Sequence, residues 1–274
     1  MRRLASAAQF SLPLVVLAVL WECAVRAFDV NPRVFPDVAA VARAGLDAIR
    51  DGTLAAHVAA SMGRVLVGTA LALVAAIPMG IAMGVSPGVS SFFTPIFRFF
   101  SVLAGIASMF LTPLFRFFSV LAGIAWIPIA TLWFGYGFGA IVFVIFNAVF
   151  FVVTYNTLLG VASIPMPLRH AAASLGAGPW QMVTQVLLPG ALPNIVTGVR
   201  TGLGFAWRGL IAAEMIATNV GLGYMLFVAR DFYRTEVIVF GMIVIGVLWL
   251  LIDRWLLVPV ERATMERWGM VRAA

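Results

Sequence analysis

Residues 170–189 read HAAASLGAGPWQMVTQVLLP and separate two long apolar stretches of the chain. Their spacing predicts a short helix over residues 169–175, a turn over residues 176–179 and a second helix from Trp180. Pro189 is predicted to start the next span, because a proline is tolerated in the first turn of a helix. The segment therefore predicts a compact helix-turn-helix held at a membrane surface.

The composition is that of a membrane protein. Hydrophobic residues make up 63% of the 274 residues and charged residues only 11%, far from the values of soluble globular domains. No Asp, Glu, Lys or Arg occurs between Arg116 and Arg169, a stretch long enough for two crossings of roughly 20 residues each. We therefore predict an all-α polytopic membrane protein in which residues 1–274 form a single transmembrane domain.

The apolar runs predict about six transmembrane helices, at residues 9–27, 65–86, 110–135, 138–161, 189–217 and 237–253. The run after Met1 has no convincing cleavage site, so we expect it to stay as a span and not as a signal peptide. Gly80 and Gly84 in the second span have the small-xxx-small spacing that is typical of a helix-packing face.

An amphipathic helix is predicted between the first two spans. Asp37 is in position to cap it, and Gly52 follows its end. One side carries the apolar residues Val38, Val41, Leu46 and Ile49. We expect this helix to lie along the membrane surface.

Two absences limit the chemistry of this chain. Cys23 is the only cysteine, which excludes an internal disulfide and a cysteine-based metal site. The net charge of +7 comes wholly from Arg because the sequence contains no Lys, so a Walker A motif is excluded. We expect no metal or cofactor on this chain, and a lipid bilayer as its surroundings, without nucleic acid as a partner.

The segment 170–189 resembles the Glu-Ala-Ala loop of ATP-binding-cassette importer permeases. In that family the loop is a coupling helix that docks into a groove of a cytoplasmic ATPase. The resemblance therefore places residues 165–188 in the cytoplasm as a coupling loop, with His170 where the family usually has Glu. The residues that it assigns to ATPase coupling are His170, Ala171, Ala172, Gly176, Val186, Leu188 and Pro189.

From about Trp21 to Trp268, the chain looks most like the permeases for sulfonates, taurine and nitrate. The stretches that carry this resemblance are residues 77–80 (IPMG), 125–128 (AWIP), 132–135 (LWFG), 188–193 (LPGALP), 212–215 (AAEM) and 221–224 (GLGY). The resemblance implies the type I importer permease fold, a multi-pass place in a bacterial inner membrane and transport of a small anion.

The same resemblance implies the partners of the chain. They are a cytoplasmic ATPase dimer that holds ATP and Mg²⁺, a second copy of this permease, and an extracytoplasmic solute-binding protein. The chain itself would not be an enzyme, because ATP hydrolysis would belong to the separate ATPase subunits.

Charged residues inside the predicted fifth span are costly in a bilayer and should face protein or water. Arg200 and Glu214 share a helix face but lie about 21 Å apart along the axis, too far to pair. In a functional interpretation, Arg208 gives positive potential to an anion pathway and Glu214 meets Arg230 or Arg234 in a gate. In a structural interpretation, Arg200 reaches the membrane interface and Glu214 makes a local hydrogen bond.

The segment after the fifth span is rich in glycine. Gly221, Gly223 and Tyr224 open it, and in the family this region is a short external helix near the pore mouth. A re-entrant turn that lines a cavity and a plain interfacial helix are both open alternatives. With Arg208 and Glu214, these three residues form the predicted substrate pathway and gate.

An internal repeat interrupts the pattern of spans. Residues 90–107 recur at 108–125 with 15 of 18 positions identical. This is a local tandem duplication and not the inverted repeat of a transporter fold. The second copy runs directly into Trp126 and is therefore the copy in the family register. The first copy is nearly long enough to span, but one extra crossing would move either the N-terminal half or the coupling loop to the wrong side of the membrane. We therefore predict that the first copy adds no crossing.

Two other functions are alternatives to the ATP-driven importer. A stand-alone secondary carrier or channel would be expected to show ionisable relays in several spans, where only Glu214 qualifies. A membrane anchor of a respiratory enzyme would need haem-ligand histidines within spans, and His57 and His170 both lie outside the predicted ones.

Overall fold

The computed structural model describes residues 16, 19–27, 31, 34–85 and 124–261, and all regular structure within them is helical. Most of the predicted third span and nearly half of the predicted first span fall outside these residues. So do the first copy of the tandem repeat, residues 90–107, and the second copy up to residue 123. The predictions for these segments stay predictions.

Besides a helical segment at residues 19–27, eight helices are described. They are α1 (Val38–Arg50), α2 (Thr53–Val85), α3 (Ile127–Phe134), α4 (Phe138–Ala162), α5 (Met166–Ser174), α6 (Pro179–Ala217), α7 (Leu222–Asp231) and α8 (Thr235–Glu261). Within the described residues, four helices are long and apolar enough to cross a membrane: α2, α4, α6 and α8. They confirm four predicted spans and the all-α polytopic fold class.

The surface helix α1 begins as predicted. The side chain of Asp37 accepts a hydrogen bond of 2.6 Å from the N–H of Ala40, which satisfies one free donor of the first turn. Gly52 has a φ of 72° and separates α1 from α2. Within α1, Val41 is buried while Leu46 and Ile49 are exposed.

Contacts divide the chain into two compact units. The first contains residues 1–61 and 220–248, and the second contains residues 62–219 and 249–274. In the first unit, α1 packs on α8 so closely that a Cβ at Gly45 would lie 2.5 Å from the ring of Phe240. The N–H of Trp21 donates to the carbonyl of Pro36 at 3.1 Å.

In the second unit, α4 packs against both α2 and α6. Small residues permit the approach to α2, since a Cβ at Gly80 would lie 2.5 Å from that of Thr157. A Cβ at Gly84 would meet Val161 at the same distance. The predicted packing role of these two glycines is confirmed.

One apolar cluster joins the ends of these three helices. Its buried members are Ile81, Val161, Ile164, Leu187, Ala191 and Ile195. Ile164 follows α4, and Leu187 lies on α6. The chain between these two residues contains α5 and the turn after it, so the cluster forms the base of that loop.

Candidate functional site

The turn after α5 explains the spacing of the Ala-Ala and Gly residues. The N–H of Gly176 donates to the carbonyl of Ala173, and the N–H of Ala177 donates to that of Ala172. This pair of bonds is a Schellman motif, which needs a left-handed residue directly after the helix end. Gly176 supplies it with a φ of 84°.

The second helix of the loop begins at Pro179, in the first turn, where proline is tolerated. The side chain of Gln181 accepts a hydrogen bond of 3.0 Å from the N–H of Gly178 and so caps this helix.

The prediction that Pro189 starts a separate span is wrong. The helix runs without interruption from Pro179 to Ala217. A wider π-helical turn at Met182–Leu187 directly precedes Pro189, and such a turn relieves the clash between a proline ring and the preceding turn.

The loop is exposed at its tip and buried at its base. Leu175 is 89% exposed and Trp180 is 77% exposed, and the predicted coupling residues His170, Ala171 and Gly176 are exposed beside them. The other predicted coupling residues, Ala172, Val186, Leu188 and Pro189, are half-buried.

An ion pair inside the second unit links α2 to α6. Arg64 Nη1 donates to Glu214 Oε1 at 2.6 Å, and the two side chains are 5% and 0% exposed. Arg64 Nη2 also donates to the hydroxyl of Thr218 at 2.9 Å. Because a buried carboxylate needs a partner of opposite charge, this arrangement fixes Glu214 in place.

The expected partners of Glu214 were therefore wrong. The functional interpretation predicts Arg230 or Arg234 as the partner of Glu214, but the observed ion pair is with Arg64. Arg230 pairs with the neighbouring Asp231 at 2.8 Å and Arg234 with Glu236 at 3.3 Å.

Arg64 was missed because the predicted second span began one residue after it. The signal was present in the alanine-rich run from Thr53 to Met62, which begins the helix well before Arg64 and leaves that charge inside it.

The other two charges of α6 have different surroundings. Arg200 forms ion pairs with Asp253 at 3.0 Å and with Glu261 at 2.7 Å, so it is held by α8. Arg208 is exposed and has no hydrogen bond or ion pair to any part of the chain that the structure describes. Thr197 and Thr201 are exposed on the same helix face.

The glycine-rich segment of the first unit forms the regular helix α7. The N–H of Gly221 donates to Nδ1 of His57 at 3.0 Å, and that of Leu222 donates to Oγ of Ser61 at 3.0 Å. Both acceptors lie on α2. The N-cap residue of α7, Gly221, has no side chain that could accept these hydrogen bonds, so side chains of α2 cap the helix instead. The ring of Tyr224 lies 6.3 Å from that of His57.

Comparison with known proteins identifies the family. Residues 76–257, more than half of the chain, match the family described as "binding-protein-dependent transport system inner membrane component". A putative ABC transporter permease protein of Methanocaldococcus jannaschii is 34% identical over 253 residues, which cover 90% of this chain and 87% of that protein.

Two further relatives have more specific names. The taurine transport system permease protein of Escherichia coli is 34% identical over 77% of this chain and 70% of its own length. The bicarbonate transport system permease protein of Synechococcus elongatus is 31% identical over 76% of this chain and 67% of its own length. With these similarities and its apolar spanning helices, this chain belongs to the family of inner membrane permease components of binding-protein-dependent ABC transport systems.

Proposed function

We propose that this chain is the membrane-spanning subunit of an ATP-driven importer for a small anion. Membership of the family makes it a transport component of the inner membrane. The names of its relatives include taurine and bicarbonate, which share a small oxyanion group. Transport of such an anion is the function that best fits these relatives together with the exposed cation of Arg208 on a spanning helix.

The loop between Ile164 and Leu187 carries this proposal. Its tip is exposed while its two ends are buried in one cluster with α2, α4 and α6. A partner that binds the tip can therefore displace the spanning helices through the base. We assign the tip to a cytoplasmic ATP-binding-cassette ATPase, and ATP and Mg²⁺ to that partner, because this chain has no Lys for a phosphate-binding loop.

Two further partners complete the transporter. A second copy of the chain forms the pathway with the first, and an extracytoplasmic solute-binding protein delivers the substrate. Exposed Arg208, with Thr197 and Thr201 on the same face of α6, provides a cation and hydroxyl groups toward that pathway. Gly221, Gly223 and Tyr224 lie at its mouth in this proposal.

The test is transport in proteoliposomes that contain this chain together with its partner ATPase and its solute-binding protein. Radiolabelled taurine, an alkanesulfonate and bicarbonate are offered in turn, with ATP and with a non-hydrolysable analogue. We expect uptake of one of these anions that requires both ATP hydrolysis and the binding protein. Uptake by this chain alone without ATP would contradict the proposal and establish a secondary carrier.

A further inference from the structure

We propose that Arg169 is a positioning residue that ties the exposed helix α5 to the end of α4, so that a displacement of α5 reaches the spanning helices. This inference rests on the proposed function, because it concerns how a docked ATPase would move the permease. In sequence, Arg169 is only the residue before the His-Ala-Ala motif.

The guanidinium of Arg169 donates a hydrogen bond through Nη2 to the backbone carbonyl of Val161, in the last turn of α4. The last carbonyl groups of a helix have no partner within the helix, and the helix dipole makes this end negative. A cation that donates to such a carbonyl therefore satisfies a free acceptor and also interacts favourably with the negative end of the helix dipole. It also joins two helices that the short connection through Ser163, Ile164 and Pro165 would otherwise hold alone.

Apart from this bond, α5 contacts the wide turn at Met182–Leu187 of α6. None of its residues is buried, and only Arg169 and Ala172 are even half-buried. Across the part of the chain that the structure describes, the bond of Arg169 is the one side-chain hydrogen bond between α5 and another helix. A force applied to α5 can therefore reach α4 through this side chain, while the contact with the wide turn leads to α6.

The acceptor carbonyl belongs to a residue of the buried apolar cluster in the second unit. Val161 is fully buried and belongs to the cluster that also contains Ile81 of α2 and Leu187 of α6. The other end of the loop is already attached to this cluster through Leu187, which is 1% exposed. Arg169 thus attaches the start of the loop to the same cluster that holds its end.

The first test measures the attachment without any ATPase. Spin labels are placed at Ser174 on α5 and at exposed Tyr155 on α4, in a Cys23→Ala background, and the labelled chain is diluted in unlabelled chain in lipid nanodiscs. We expect a narrow distance distribution for the parent and for Arg169→Lys, whose ammonium can still donate to a carbonyl, and a broader one for Arg169→Ala. Equal widths for the parent and Arg169→Ala would overturn the inference.

The matched control is Arg43→Ala. Arg43 also donates from its guanidinium to a backbone carbonyl, that of Ala39 at 3.3 Å, but this bond lies within one surface helix. Its removal should leave the distribution between Ser174 and Tyr155 unchanged. Broadening in this control equal to that of Arg169→Ala would show a general loss of packing and overturn a specific role for Arg169.

The second test measures coupling in the reconstituted transporter, with radiolabelled taurine as the probe. Arg169→Ala should keep the ATPase bound and hydrolysing ATP, while taurine taken up per ATP falls by about tenfold, a coupling loss of ordinary size. Arg169→Lys should recover part of that ratio. An unchanged ratio in Arg169→Ala would overturn the inference. If the parent takes up the alkanesulfonate or bicarbonate instead, that anion replaces taurine as the probe. A parent complex without ATP-dependent uptake of any of the three anions would contradict the proposed function and leave the spin-label test to decide the attachment.

Discussion

At the scale of single residues, the ion pair between Arg64 and Glu214 has the greatest energetic consequence. Both side chains are almost completely buried, so each charge has lost its water and depends on the other. Such a pair adds little net stability over two apolar residues, but it is costly to break. It therefore specifies which residues of α2 and α6 lie together.

We expect Glu214→Ala to destabilise the protein by about 3–5 kcal/mol, because it leaves the guanidinium of Arg64 buried without its carboxylate. The double variant Arg64→Met with Glu214→Leu should recover most of this loss, since it removes both charges. The measurement is the fraction of purified protein that stays monodisperse in detergent over a temperature series. Equal thermal stability of Glu214→Ala and the parent would contradict this account of the pair.

Arg208 is the residue for which we predict an effect on transport without an effect on folding. It is exposed on α6, so Arg208→Leu removes a cation without leaving a buried partner unpaired. Uptake of an anionic substrate should fall by roughly tenfold, the effect of about 1.4 kcal/mol. Arg208→Lys keeps the charge and should retain most of the activity. Normal uptake by Arg208→Leu, at equal amounts of assembled complex, would remove Arg208 from the pathway.

The sequence identified Glu214 as unusual but not its partner. An acid inside an apolar span signals that a compensating group exists, and nothing in the spacing of α6 says which helix supplies it. Arg64 lies 150 residues away in sequence, so only the packing of α2 near α6 brings the two together. For the same reason, the hydrogen bonds of His57 and Ser61 to the start of α7 could not be anticipated.

At the scale of helices, close approach determines how α2 packs on α4. A Cβ at Gly80 would lie 2.5 Å from Thr157 Cβ and 2.8 Å from the carbonyl oxygen of Thr154. Backbone atoms cannot rotate away as a flexible side chain can, so an added methyl group would force the helices apart. Gly63, on the same helix, has nothing within 4 Å of the corresponding position.

We therefore expect Gly80→Ala to destabilise the protein by about 1–3 kcal/mol, as overpacking of a filled interior does. Gly63→Ala adds the same methyl group to the same helix and serves as the control, with no loss of stability expected. Both are compared in the thermal series used for Glu214. Equal destabilisation by the two variants would show that the loss comes from the helix backbone and not from the contact with α4.

Caps and tight turns follow from local chemistry, and for that reason they could be predicted. The cap of Asp37 on α1 and the turn at Gly176 depend on residues within a few positions of each other. The continuous helix through Pro189 could not be predicted. Its wide turn makes room for the proline ring, and residue propensities do not distinguish a helix with such a turn from a helix that ends there. Which side of α1 is buried depended on Phe240, far along the chain.

At the scale of the whole molecule, the number of crossings decides on which sides the loops lie. If residues 90–107 add no crossing, as the cytoplasmic place expected for the coupling loop predicts, the segments around Ser86 and Ser163 lie on the same side of the membrane. Single cysteines at these two positions, in a Cys23→Ala background, should therefore both react with an impermeant reagent from the cytoplasmic side only. Reaction from opposite sides would establish an odd number of crossings between them.

The central claim is that an ATPase drives this permease through the loop tip at Gly176. Gly176 is exposed, with open space around it and a φ of 84°. Asn tolerates positive φ well and is small, whereas Trp places a large ring where a partner would approach. Gly176→Asn therefore keeps the backbone requirement with little added bulk, whereas Gly176→Trp adds both backbone strain and a large ring at the docking surface.

The most direct measurement is ATP-dependent anion uptake by Gly176→Trp and Gly176→Asn in proteoliposomes with the ATPase and the binding protein. We predict near-normal uptake for Gly176→Asn. For Gly176→Trp, we predict loss of uptake together with loss of ATPase from the purified complex, while the permease itself stays folded in the membrane. Full uptake and full ATPase recruitment by Gly176→Trp would contradict the account.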